Sequence, residues 1–461
     1  MGIEGSRESG DEAADWQAVF RRAAPPHGTG LAMQGLTHPH DRASERPMPH
    51  LAPSPVRPAG LRPTLLVFSH LRFGFVYQRP QHLMSRLAAH WDVLFVEEPV
   101  ADAEAPRLEA HSPCPGVTVL LPRLPLPAAG FHDEHLAALS TLLADELARR
   151  AVRHPVVWLY TPMALPLALT VEPSCLVYDC MDELSAFQDA PRQLQQRERA
   201  LLERADVVFT GGPSLFEARS GRHPNLHCVP SSVDAAHFAP SSLQPDSEEA
   251  RRAEALQGRL ARPRLGFFGV IDERLDRVLV TQLADRHPEW QLVMVGPVVK
   301  IDPATLPQRP NLHWLGMQPY AQLPYLLAGW DLCLLPFARN EATRFISPTK
   351  TLEYMAGEKP VVSTAIPDVA SLYGHAVEVA DGEDDFIAAC EKVLHESRAA
   401  RCQRLVEMLT TVSCHSWDRS AATMHALVLE ARERRAARPA PAPAEAAPRT
   451  AVAAAGEARL A

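Results

Sequence analysis

The sequence predicts an α/β protein built from two doubly wound, mostly parallel sheets that face each other across a cleft. Three observations carry this. Short, near-continuous apolar runs alternate with amphipathic helical stretches, as in sheets covered on both faces. The alternation breaks once, over the polar stretch 240–262, and then restarts. A chain of 461 residues is too long for one compact core and short for three.

The first half opens with Thr64-Leu-Leu-Val-Phe-Ser69, an apolar strand. A helix follows from about Pro80, with Leu83, Met84, Leu87 and Ala88 on one face. Strands are predicted at 93–97 and 117–121, then a long amphipathic helix over 132–153. Strands at 156–160, 175–178, 207–210 and 226–229, separated by helical stretches, complete this half. The second half reads strand 265–269, helix 275–287, strands 291–295 and 311–315, helix 321–328 and strand 332–336. It continues with helix 348–357, strand 361–363, helices 383–395 and 399–411, and a last helix over 417–436. In doubly wound sheets ligands sit at the carboxyl ends of the strands, so two facing domains imply one ligand on each side of the cleft.

The ends read differently. Proline is abundant, 43 residues, and part of it lies in 1–60 and after Ala437, where apolar periodicity is lacking. Such segments bury too little apolar area to offset chain entropy, so a disordered N-terminal extension, 1–60, and a disordered tail, 437–461, are expected. The folded part divides into a domain 61–239, a linker 240–262, a domain 263–412 and a C-terminal helix 413–436. A net charge of −9 argues against a nucleic-acid partner. No apolar run approaches the length of a membrane span, so any membrane contact would be peripheral. The eight cysteines form no C-x-x-C pair and several sit in apolar segments, so a reducing, cytoplasmic setting is expected and structural zinc is not.

The chemistry concentrates in Pro336–Gly357. Ser347-Pro348 is a helix-start signature, and the free N–H groups of a first helical turn suit a phosphate or diphosphate. Thr349 and Lys350 lie in that turn, Lys350 adding a mobile positive charge; Glu353 is one turn on, placed to accept hydrogen bonds from ribose hydroxyls. A surface ion pair on a capped helix would show the same spacing.

The run Ser347-Pro-x-Lys-x-x-Glu-Tyr-Met-Ala, with Lys359-Pro-Val-Val after it, resembles the donor-binding helix of GT-B glycosyltransferases, especially glycosyltransferase family 4. Val229-Pro-Ser-Ser-Val-Asp and Gly266-Phe-Phe-Gly-Val-Ile-Asp-Glu-Arg resemble two further segments of that family, and the combined pattern is similar to enzymes of teichuronic-acid and exopolysaccharide synthesis. The resemblance implies a GT-B fold and transfer of a sugar from a nucleotide-sugar co-substrate to a glycan or lipid-linked acceptor. Donor contacts are then expected from Arg274, Ser347, Thr349, Lys350 and Glu353, with no metal and no resident cofactor. The sequence departs from the family in carrying Phe345 where a first glutamate is usual, with Glu341 four positions before it, Ser231-Ser232 for Asn-Gly, and a single Arg274 for a basic pair.

On the first domain, His70, Arg72, Arg79 and His82 follow the first strand or open its helix and are read as acceptor-binding, Arg79 toward a phosphate. Asp182, then Asp179, just past a later strand, are candidate general bases for the acceptor hydroxyl. Two other readings compete: an epimerase of the same fold acting on a nucleotide-sugar alone, and a non-catalytic binding protein. A nicotinamide dehydrogenase is disfavoured because no G-x-G-x-x-G follows the first strand.

Overall fold

The structure, a computed structural model, describes residues 62–188 and 190–438. The tails expected to be disordered lie outside the described residues, apart from 437 and 438.

The first domain holds β1 (Thr64–Ser69), β2 (Asp92–Glu97), β3 (Val100–Ala101), β4 (Arg107–Cys114), β5 (Val117–Leu124), β6 (Val156–Leu159), β7 (Cys175–Cys180), β8 (Val207–Thr210) and β9 (Leu226–Cys228). They form one sheet in the order β3-β5-β2-β1-β6-β7-β8-β9, parallel except for β4, which lies antiparallel on β5. The second domain holds β10 (Arg264–Phe268), β11 (Gln291–Val295), β12 (Leu312–Trp314), β13 (Leu332–Leu335), β14 (Val361–Thr364) and β15 (Glu378–Ala380). Its order is β12-β11-β10-β13-β14-β15, all parallel, with the reversal between β10 and β13 that marks a doubly wound sheet.

The apolar runs become strands because both faces of each sheet are covered. In β1, Leu66 and Phe68 enter one core layer while Leu65 and Val67 enter the other. The second sheet divides likewise, with Val293 and Val295 on one side and Leu292 and Met294 on the other.

One segment departs from the sequence reading. The stretch 240–262 contains a helix, Glu248–Gln257, capped by Ser247 and docked on the second core through Ala253 and Gln257. Gln257 donates to Leu326 O at 2.8 Å and accepts from Trp330 Nε1 at 2.9 Å, so this part of the linker belongs to the second domain. The last helix, Trp417–Ala436, packs back on the first domain through Trp417, Ala421, Met424, Val428 and Ala431. Burying a large apolar side chain contributes about 1.5–3 kcal/mol, enough for Trp417 and Met424 together to fix where this helix lies.

Candidate active site: a cleft with two joined cavities

The carboxyl ends of the two sheets face one another. On the second domain, β10 and β11 are each followed at once by a glycine, and the positive φ angles, 150° at Gly269 and 147° at Gly296, allow close packing. A Cβ at Gly296 would fall 1.7 Å from Gly269 O, and one at Gly269 would fall 2.7 Å from Lys350 Cε. Only glycine lets the strand ends lie against the lysine stem.

Lys350 begins the helix Lys350–Ala356. That helix is tied to β10 by Tyr354, whose hydroxyl accepts from Phe268 N at 2.9 Å. The Lys350 ammonium sits 5.3 Å from the Phe337 ring centroid and 5.7 Å from that of Phe267. Burial, then Arg274, hold Lys350 below the ordinary lysine range; burial holds Glu353, only 5% exposed, above the ordinary carboxyl range. The pair thus sits ready for a ligand that brings charge and hydroxyl groups together. The helix opening differs from its sequence signature. Thr349, in α-helical geometry, holds the N-cap position, and no side chain caps it, so Ser347 is not the cap. Ser347 instead backs onto the first domain: a Cβ at Gly212 would lie 2.9 Å from Ser347 Cβ and 1.9 Å from Asp368 Oδ2. Asp368 Oδ1 also accepts from Ser214 N at 2.9 Å, so the turn after β8 is pressed against both the loop that carries Ser347 and the start of the helix Pro367–Tyr373.

Arg274 lies in the turn after β10. Its Nε and Nη2 donate to Asp272 at 2.6–3.0 Å, and its guanidinium lies 5.2 Å from the ring centroid of Phe187, a first-domain residue. Lys300, on the loop after β11, approaches the same ring at 4.6 Å. These cation–π contacts bridge the cleft.

Two cavities occupy the cleft. One is lined on the second domain by Arg274, Ser347, Thr349, Lys350, Glu353 and Tyr320 and on the first by Gln78 and Asp182. The other is lined by His70, Glu98, Phe131, Phe187, Lys300 and Asp182 among others. Phe75, Gln78, Asp182, Val270 and Arg274 line both, so the cavities meet there. Asp182 lies two residues past β7; burial raises its pKa, opposed by Arg274 and Lys300.

The structure therefore brings Arg274, Ser347, Thr349, Lys350, Glu353, Asp182 and His70 to the cleft. It removes four other residues from the roles read in the sequence. Arg79 and Asp179, 1% and 0% exposed, are a buried ion pair. Arg79 Nε reaches both carboxylate oxygens at 3.0–3.1 Å, Nη2 reaches Oδ1 at 2.8 Å, and Nη1 donates to Val229 O at 2.8 Å. Arg79 reaches the wall of the first cavity, but its Nε–Nη2 edge is taken by Asp179 and its Nη1 donates to Val229 O. No paired donor edge is left for an acceptor phosphate, and Asp179 is held by a cation rather than free as a base. His82 is buried and stacked on Trp417 at 4.8 Å, with Tyr77 and Tyr320 edge-on, so it belongs to the joint between the last helix and the domains. Arg72 pairs with Glu97 at 3.0 Å and lines neither cavity.

Lys300, Glu98, Phe187 and Asp272 were missed. Lys300 is one of four lysines in the chain and follows a predicted strand of the second half, a signal that could have found it. Phe345, at the position that departs from the family pattern, is half-buried against the first domain's core. Among the described residues no group of three or more His, Cys, Asp and Glu is arranged to hold a metal, and no helix is long and apolar enough to cross a membrane.

Two facing Rossmann-like domains with the ligand cleft between them define the GT-B fold. Residues 262–396, most of the second domain, match the family model described as Glycosyl transferases group 1. The Bacillus subtilis protein TuaH, assigned as a teichuronic acid biosynthesis glycosyltransferase, is 28% identical over 244 residues, 48% of this chain and 59% of that protein. The chain thus spans less than two thirds of the length of this curated relative. Sucrose-phosphate synthase from Thermosynechococcus elongatus superposes with a TM-score of 0.61 at 16% identity, over 80% of this chain and 99% of that one. Anabaena HepE, solved in complex with UDP and glucose, gives 0.58 at 12% identity, over 80% and 100%. At these identities the structural likeness establishes the fold, and with the matched domain it bears out the GT-B glycosyltransferase resemblance read in the sequence.

Proposed function

We propose that the protein transfers a sugar from a nucleotide-sugar, held against Lys350 and Glu353, to a hydroxyl of an acceptor held in the second cavity. The observation that carries this reading is the junction: Asp182 and Arg274 line both cavities. A group-transfer enzyme needs its base and its leaving-group cation where donor and acceptor meet.

The acceptor oxygen attacks the anomeric carbon, its proton passes to Asp182, and the bond to the diphosphate breaks. A carboxyl whose pKa is raised by burial is a better base than an exposed one. Lys350 and Arg274 meet the charge on the departing diphosphate, and we assign that role to them rather than to a metal or other cofactor. The second cavity has no work in an acceptor-free epimerisation, which favours transfer over that alternative. TuaH supports an acceptor of the cell-surface polysaccharide kind, glycan or lipid-linked, and HepE supports a nucleoside diphosphate donor. Eight cysteines free of disulfides, four of them buried, support work in the cytoplasm.

A thermal-shift panel of UDP-, GDP- and dTDP-sugars tests the reading, followed by assay of diphosphate release with the sugar that binds. At least one nucleotide-sugar should stabilise the protein. Asp182→Asn should keep that stabilisation and lose transfer; unchanged transfer removes Asp182 as the base.

A further inference from the structure

The proposed reaction engages Asp182 and the cations around the diphosphate, but leaves two polar groups of the second cavity without work. Glu98, directly after β2, lines this cavity, and its carboxyl makes no hydrogen bond to any described residue. Gly130, at φ 60°, comes so near that a Cβ there would lie 2.7 Å from Glu98 Oε1. His70 lines the same cavity, and its Nδ1 is buried without a partner. A buried nitrogen without a partner, as at His70, is costly unless a ligand or water completes it.

The rest of the wall is largely apolar, with Leu71, Phe131, Met163, Leu184, Leu194 and Val299 around it. The cavity measures about 150 Å³. An apolar cavity of about that size in another protein holds one benzene molecule, so the space admits a six-membered ring. Lys300 lies within electrostatic reach of His70, Glu98 and Asp182, which places all three around the same space.

We infer that Glu98, with His70 beside it, is an acceptor-binding residue: it holds a second hydroxyl of a pyranose ring whose reacting hydroxyl lies at Asp182. The inference rests on the proposed function and names the acceptor unit that the cavity selects. The protonation states agree with it. Burial raises the Glu98 carboxyl to about 7 against the pull of Arg72 and Lys300, and lowers His70 to about 4, so near neutrality both can donate as well as accept.

The test uses the full chain, UDP as donor-site probe, and methyl β-D-glucopyranoside, methyl β-D-galactopyranoside and methyl α-D-mannopyranoside as acceptor probes, followed by saturation-transfer NMR. At least one pyranoside should bind the UDP complex. Glu98→Ala should weaken it about ten-fold or more, Glu98→Gln should restore most of the loss, and UDP affinity should stay unchanged in both, which also reports that the variants are folded. Equal pyranoside affinity in Glu98→Ala, or no pyranoside binding to a protein that binds UDP, overturns the inference. If UDP, GDP and dTDP all fail to bind the unaltered protein, the proposed function fails instead.

Discussion

Replacing Arg79 distinguishes a structural ion pair from a substrate contact. Arg79→Ala leaves Asp179, 0% exposed, as an uncompensated carboxylate and strips Val229 O of its donor. Removing one partner of a buried pair costs about 3–5 kcal/mol. With about 2–4 °C of Tm lost per kcal/mol for domains of roughly 150–250 residues, the melting temperature should fall by about 6–20 °C. Calorimetry of Arg79→Ala, Asp179→Asn and the double variant measures it. The double variant should be less destabilised than the sum of the singles, because neither change then leaves an unpaired charge buried. Were Arg79 an acceptor-phosphate ligand instead, the single variant would melt with the unaltered protein and lose only acceptor affinity. A Tm shift below about 2 °C would refute the argument.

Two further predictions concern the donor side. Donor binding should weaken with rising pH well below the ordinary lysine pKa of about 10.4, because burial and Arg274 depress Lys350 and the ammonium is lost as pH climbs through its lowered pKa. Calorimetry in buffers of different ionisation enthalpy should show proton uptake on UDP binding at alkaline pH; Lys350→Arg, charged throughout, should remove that uptake. Gly212→Ala puts a methyl into the space of Asp368 Oδ2 and Ser347 Cβ, so it should loosen the domain contact and weaken donor binding several-fold. Small-angle scattering and UDP titration measure the two effects, and a variant unaltered in both contradicts a coupling between that contact and the Ser347 loop.

Most strands of both sheets were legible because covered strands are continuous apolar runs, and Leu65–Ser69 or Leu332–Leu335 admit little else. The short strands β3 and β15, each paired on one side only, were missed. The edge strand β4 was missed too, since Arg107–Cys114 is polar, largely exposed and paired only with β5. The helix Glu248–Gln257 was hidden in a stretch read as linker because few of its side chains are apolar and one of its two buried contacts is an amide, Gln257. Lys350, Glu353 and Arg274 could be placed because local motifs carry them. Arg79 and Asp179 could not, being 100 residues apart in sequence, so nothing local reveals that each neutralises the other. His82 had the same difficulty, since its stacking partner Trp417 comes from the last helix. The Ser347-Pro348 signature misled in detail, because Ser347 is set by Gly212 across the cleft rather than by its own helix.

The central claim is that a nucleotide-sugar binds the second domain against Lys350 and Glu353. Its most direct test is calorimetric titration of UDP-, GDP- and dTDP-sugars into the unaltered protein, Lys350→Ala and Glu353→Ala. A hydrogen bond to a charged group contributes about 1.5–3 kcal/mol, so Lys350→Ala should weaken the preferred donor by roughly 10- to 150-fold, and Glu353→Ala should also weaken it. Affinities equal to those of the unaltered protein in both variants would contradict the account.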